Sequence, residues 1–178
     1  MAGFDVFLKL DGIDGESTTK GHEKEIEVLS YDQSIDSTVP SSGGVGGGGG
    51  AGKSTFSGVR FRKLLDTASI PIALACASGL HIASARFAFR RASANPFNFS
   101  VVTLEDVIVT HAGQCASTGV QSPLKFETLA KSPTDAALLE EVTLHFAKIR
   151  WEYRRMGPKG NALPPITGGW DVKANRKL

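Results

Sequence analysis

The chain is poor in cysteine, tryptophan, tyrosine and methionine, with two of each in 178 residues. Cys76 and Cys115 are separated by 38 residues and form no Cys-x-x-Cys spacing, so one disulfide is possible but not indicated and no cysteine-built zinc site is expected. Charge of one sign is also missing: 20 basic residues against 18 acidic ones give a formal net charge of +2. Nucleic-acid-binding domains usually carry a strong basic excess gathered on one face, so no nucleic-acid partner is expected. Long apolar runs are absent. The smoothest, Ile70 to Ala77, is interrupted by Pro71 and falls far short of the ~20 residues of a membrane span, so no membrane anchor is expected. The opening MAGFDVFLKLDGIDG lacks the basic start and unbroken apolar stretch of a secretory signal. A cytoplasmic protein is expected, with any export by another route.

Glycine is the residue in excess, at 20 of 178, but eight of the twenty lie between Gly43 and Gly52. Outside that window 12 remain in 168 residues, which matches the ~7% of ordinary globular chains. Glycine and proline together number 28, well below the ~25–30% of low-complexity sequences. Apolar residues at 41% and charged residues at 21% are those of a single globular domain with a sizeable core.

Phe4, Val6, Leu8 and Leu10 alternate with Asp5, Phe7, Lys9 and Asp11, the period-2 pattern of a strand with one buried face. Asp11-Gly12 and Asp14-Gly15 supply turn chemistry. Ile26 and Val28 face one side of a second strand, with Glu25, Glu27 and Leu29 opposite, which predicts an acidic outer face. Tyr31 to Thr55 has almost no apolar periodicity and reads as a long loop, a rarity in compact domains unless functional or disordered. A strand is expected over 56–62. A short helix follows between Asp66 and Gly79, capped by Thr67 or Ser69, tolerant of Pro71 in its first turn and ended by Gly79. Strands are expected over 82–91, with Ala83, Ala85, Phe87 and Phe89 on one face, and over 97–103 and 107–111 as one long strand broken at Glu105-Asp106. Leu124 to Lys131 alternates as well, and Ser132 to Asp135 has the chemistry of a helix start. Val142, Leu144 and Phe146 are out of phase with Ile149, Trp151 and Tyr153, which predicts a bulge or strong twist near Ala147. Beyond Met156, residues 157–178 hold four glycines and three prolines and read as an exposed extension anchored by Trp170. Many alternating runs against one helix indicate a mainly β sandwich or barrel.

Residues 47–54, GGGGAGKS, satisfy the phosphate-loop pattern with Gly47, Gly52, Lys53 and Ser54. Such a loop must follow a strand and open a helix, yet STVPSSGGV precedes it and the alternating TFSGVRF follows. A glycine run meets the pattern by chance, and nucleotide binding is the disfavoured alternative. His22, His81, His111 and His145 are scattered without metal-ligand spacing, and no Gly-x-Ser-x-Gly elbow is present. No catalytic residue, cofactor or metal is therefore expected, and the chain reads as a non-enzyme. Asn98-Phe99-Ser100 fits a glycosylation pattern but sits in a strand run. Arg60, Arg62, Arg86, Arg90, Arg91, Arg150, Arg154 and Arg155 have the spacing of a basic stripe able to meet an anionic ligand or nucleic acid. The favoured reading is a solvated face balanced by Glu25, Glu27, Glu127, Glu140 and Glu141.

FLKLDGIDGES at residues 7–17, HEKEIEVLSYDQSI, FRKLLDTASIPIALACASGLHI and the closing EEVTLHFAKIRWEYR together resemble the haemolysin-coregulated (Hcp) proteins, the tube proteins of the bacterial type VI secretion system. The likeness runs over about residues 4–155. It implies a two-sheet β-barrel with one short flanking α-helix, assembling as a homohexameric ring. Rings stack into a hollow tube that a contractile sheath expels, with a spike protein at its tip and small effectors in the lumen. The tube protein then leaves the cytoplasm and is secreted without a cleaved signal. On this chain the resemblance makes 1–156 the protomer, 157–178 a Gly/Pro-rich extension, and the loop at about 31–55 a contact between subunits or between rings, with Tyr31, Val39, Val45, Lys53 and Phe56 as its candidate residues.

Overall fold

The computed structural model describes residues 4–37, 54–91, 96–117, 137–157 and 161–178. Strand β1 (Phe4–Leu10) buries Val6, Leu8 and Leu10 on the face that its alternation predicts. Phe7, on the opposite face, is buried too, because the His22 ring stacks on it with 4.4 Å between centroids. β1 pairs antiparallel with β2 (Ile26–Val28) on one side and with β7 (His81–Arg91) on the other. β2 continues through Leu29 into β3 (Ser30–Asp32), which pairs with β6 (Val59–Leu64). β6 pairs with the first half of β9 (Ala137–Tyr153), β9 with β8 (Asn98–Ser117), and β8 with β7. The path returns to its start, so these strands close a barrel, the arrangement that leaves no free sheet edge in the wall. Its interior is filled by Leu8, Ile26, Phe61, Phe87, Leu104 and Ile149, each fully buried.

Helix α1 (Ser69–Ser78) lies against β8 and buries Ser69, Ile72 and Ala75. Gly79 ends it in the left-handed region at φ 65°, as its position predicts. The start differs from expectation, since neither Thr67 nor Ser69 caps it. Ala68 occupies the cap position, and the turn is held instead by Asp66, whose Oδ1 accepts from the Ala68 N–H at 2.9 Å while its own N–H donates to Ser69 Oγ at 3.0 Å.

Several sequence expectations are refined. The long loop is not featureless: its two ends form β3, β4 (Ile35–Ser37) and β5 (Ser54–Phe56), and among the described residues β4 pairs with β5 alone as a separate two-stranded ribbon. The expected strand over 56–62 divides at Ser57-Gly58 into β5 and β6. In β7, Ala85 and Phe87 point inward, but Ala83 is exposed and Ile82 is buried in its place. β8 is one strand of 20 residues, and Asp106, at the expected break, has a left-handed backbone with φ 54°. Opposite it, Ala147 marks the change of phase in β9: Val142 and Leu144 are buried before it, Ile149 after it. The register is unbroken there, and the shift lies in β8 between Val109 and His111.

The C-terminal segment is not an exposed extension throughout. β10 (Ile166–Asp171) pairs along the second half of β9 and β11 (Arg176–Lys177) pairs with β10, so the chain ends as an apron of sheet attached to the barrel. Trp170 anchors it against the core. Two glycines hid this strand. At Gly169 a Cβ would sit 3.1 Å from the Ile149 carbonyl oxygen and 3.2 Å from Leu178, so the close approach of neighbouring chain favours glycine where alternation would have asked for a side chain. The alternating run 124–131 and the helix start 132–135 lie outside the described residues.

Candidate assembly surfaces and the charged clusters that hold them

Alternation along β6 turns Val59, Phe61 and Lys63 to the inside. Lys63 is completely buried, and its Nζ lies 2.7 Å from Glu140 Oε2, 2.7 Å from Asp66 Oδ1 and 3.0 Å from Ser69 Oγ, and donates to the Leu64 carbonyl at 2.7 Å. Ser69 Oγ also donates to Glu140 Oε2 at 2.5 Å, and Gln114 Nε2 donates to Glu140 Oε1 at 2.7 Å. Burial pushes the Glu140 carboxyl up, but the hydrogen bonds from Lys63, Ser69 and Gln114 outweigh it and hold the group below the usual carboxylate range. One buried ion cluster thus fastens the start of α1 to β6, β8 and β9. Polarity placed Glu140 on a solvated face, and its inward position is a correction; the signal that finds the cluster is Lys63 falling in phase with Val59 and Phe61.

Glu25 is the second carboxylate found inside. It lies 2.6 Å from Nδ1 of the buried His22, whose Nε2 is 3.0 Å from Asn98 Oδ1. This network pins the loop after β1 onto β1 and the start of β8. Gly15 packs against the same loop so tightly that a Cβ would meet the Glu25 carbonyl oxygen at 2.5 Å.

At the surface, Asp106 gathers His81 Nδ1 at 2.7 Å and Lys173 Nζ at 2.6 Å. The bonds from Lys173 and then His81 hold its carboxyl below the usual range. Among the described residues no group of three His, Cys, Asp or Glu could hold a metal ion, and no helix is long and apolar enough to cross a membrane. Cys76 and Cys115 are free thiols.

Five of the eight candidate arginines have a local partner among the described residues. Arg62 meets Glu141 at 2.9 Å, with Arg60 at 3.9 Å from the same carboxylate, and Arg150 meets Glu105 at 3.0 Å. Arg154 meets Glu152 at 2.7 Å, and the Arg91 guanidinium stands 5.3 Å above the Phe99 ring. Glu141 is the balancing partner that the sequence indicates, Glu25 and Glu140 are turned inward, and Glu127 lies outside the described residues. Of the phosphate-loop residues, Gly47, Gly52 and Lys53 also lie outside them, while Ser54 begins strand β5. The helix that a phosphate loop must open is therefore a strand.

Of the candidate contact residues, Tyr31 packs edge-on against Phe87 and Phe89 at 5.0 and 5.1 Å. Its hydroxyl has no hydrogen-bond partner among the described residues, and burial raises its pKa well above the usual phenol. Phe56 packs on Phe146 at 6.2 Å and so joins the ribbon to the barrel. Val39, Val45 and Lys53 lie outside the described residues.

A closed barrel with one flanking helix and a projecting ribbon is a fold of type VI secretion proteins. The chain is similar to a solved type six secretion system protein, with TM-score 0.84 and 26% identity over 99% of this chain and 100% of that one. It is similar also to the crystal structure of Hcp1 from Salmonella typhimurium, with TM-score 0.72 and 34% identity over the whole of both chains. In sequence it is 30% identical to protein hcp1 of Pseudomonas aeruginosa over 173 residues, 96% of each. The family model described as type VI secretion system effector, Hcp, matches residues 7–153. The chain belongs to the Hcp family and is a component of the type VI secretion tube.

Proposed function

We propose that six copies of this chain close into a ring, and that rings stack into the hollow inner tube which a contractile sheath expels behind a spike protein. Small effectors travel in the lumen, and the tube protein leaves the cell with them without a cleaved signal. A ring requires a heterologous contact, in which one surface of a protomer meets a different surface of the next. The observation that carries this reading is the β4–β5 ribbon. Among the described residues it pairs only with itself, all three residues of β4 are exposed, and Ile35 is 47% exposed. A lone two-stranded ribbon is marginal in water, so a second surface is needed to cover it. A neighbouring protomer supplies that surface, and the contact includes Val39, Val45 and Lys53, with Tyr31 and Phe56 bracing its base.

Native mass spectrometry and negative-stain microscopy test the proposal. The full chain is expected at six protomer masses, and deletion of Val45 to Lys53 is expected to abolish rings while leaving a folded monomer. A monomeric full-length chain overturns the ring. Unchanged rings and tubes in the deletion overturn the contact role of the loop.

A further inference from the structure

Both ring nitrogens of His22 face oxygen acceptors. Nδ1 is 2.6 Å from a carboxylate oxygen of Glu25, and Nε2 is 3.0 Å from the amide oxygen of Asn98, 76 residues away in sequence. A neutral imidazole has one N–H and one bare nitrogen. It can bond one of these oxygens, and then sets a lone pair against the other. Only the imidazolium, with a proton on each nitrogen, donates to both.

Three features of the surroundings favour that charged ring. The His22 and Glu25 side chains are 4% and 9% exposed, and among the described residues no other ion pair reaches Glu25. A buried carboxylate without a cation is costly, so the imidazolium answers a need of its partner as well as its own. The 2.6 Å separation belongs with charge-assisted hydrogen bonds. The ring also lies flat on Phe7, with 11° between the planes, and an aromatic face attracts a cation.

The other charges around the ring sit in or towards water. Lys20, Glu23 and Lys24 share its loop and are exposed, with Lys24 turned to Asp14 and Glu23 accepting from the Gly21 N–H. On β1, Asp5 and Lys9 share the face of Phe7. Arg90 and Arg86 of β7 stand opposite those two in the register, and Glu27 of β2 stands opposite Phe7. All of these are exposed or half-buried, so solvent and salt weaken their hold on the ring. β8 contributes the uncharged Asn98.

We infer that His22 is held as an imidazolium donating to Glu25 and Asn98, and that this doubly protonated ring is a pH-sensitive clasp on the connection between β1 and β2. The bonds of the Ser17 N–H to the Glu25 carbonyl at 3.0 Å and of the Lys24 N–H to the Ser17 carbonyl at 2.8 Å are internal to that connection. The His22 ring is what fastens them to β1 and β8. A charged histidine contributes below its titration and loses its contribution as pH rises through it, so the clasp loosens on the alkaline side. Protonation of Glu25 removes the other charge on the acid side.

The test is 15N NMR of the full chain labelled in histidine and read as a sediment, with His22→Gln identifying the ring signals. At about pH 7, above the ~6.5 of free histidine, two N–H signals are expected from His22. One N–H and one bare nitrogen overturn the inference, because the Asn98 amide is then turned round and donates to a neutral ring. Hydrogen exchange gives a readout that needs no variant to fold. Protection of the Ser17 and Lys24 amides, relative to those of β7, is expected to fall about tenfold between about pH 6 and pH 9. Asn98→Asp, which can only accept, is expected to carry that fall to higher pH. Protection that does not change with pH or rises with it, or an Asn98→Asp profile that overlays wild type, overturns the clasp.

Discussion

Glu140 and Asp106 are both carboxylates held by a lysine, at 2.7 and 2.6 Å, and by a second donor. Their distances are almost the same and their surroundings are not. Lys63 is 0% exposed and the Glu140 side chain 6%, whereas Lys173 is 72% exposed and the Asp106 side chain 41%. Water screens the second pair and leaves it worth little. The first has no water to fall back on, so removing one partner strands the other as an uncompensated buried charge. Contact geometry alone does not reveal which cluster holds the fold together; burial does.

The largest break in this comparison is expected from Lys63→Met. It leaves Asp66 and Glu140 facing each other without a cation, and should destabilise the protein by about 3–5 kcal/mol in urea unfolding followed by far-UV circular dichroism. A smaller loss, about 1–3 kcal/mol, is expected for Glu140→Gln, which keeps the shape and removes the charge. Its pH profile sharpens the point. The folded-state pKa of Glu140 is depressed, so its stabilisation is present above the ordinary carboxylate value of ~4.3 and is lost as pH falls through the folded value. The gap between wild type and Glu140→Gln should therefore be full at neutral pH and narrow below about pH 4; a gap independent of pH contradicts the ionic account. Lys173→Met is expected to have the smallest effect, with a melting curve that overlays wild type at moderate salt. A destabilisation from Lys173→Met as large as that from Lys63→Met would erase the distinction between the clusters.

Much of the barrel was legible because a buried face leaves a period in the sequence. The alternation of β1 and the phase change at Ala147 are consequences of one side of an element meeting water and the other not, while Gly79 and Asp106 mark places where the backbone turns left-handed, the one ending a helix and the other lying inside an unbroken strand. Three kinds of feature left no such trace. Glu140 read as a surface residue because its cation is brought to it by folding from 77 residues away, and Glu25 because its polarity gives no sign that the loop folds it inward onto the buried His22. β10 read as loop because Gly168 and Gly169 carry no side chain to alternate, and at Gly169 the neighbouring chain comes close. The ribbon ends at Ile35–Ser37 and Ser54–Phe56 read as loop because all six residues face outward or lie half-buried, so no alternation exists to detect. Assembly surfaces are obscure for the same reason: a residue that will be covered only by another copy sits in a pattern that one copy does not require. The specific opening FLKLDGIDGES and the closing IRWEYR identified the family where periodicity could not.

β9 belongs to two structures at once. Its first half is a stave of the closed barrel, paired with β6, and its second half is the inner strand of the apron, paired with β10, while β8 runs beside it along its length. Wall and apron are joined by continuous backbone pairing as well as by Trp170 packing on the core. A push on the C-terminal strand reaches the barrel through backbone hydrogen bonds that share the load along their ladder, so the apron works as a buttress cast in one piece with the wall it supports.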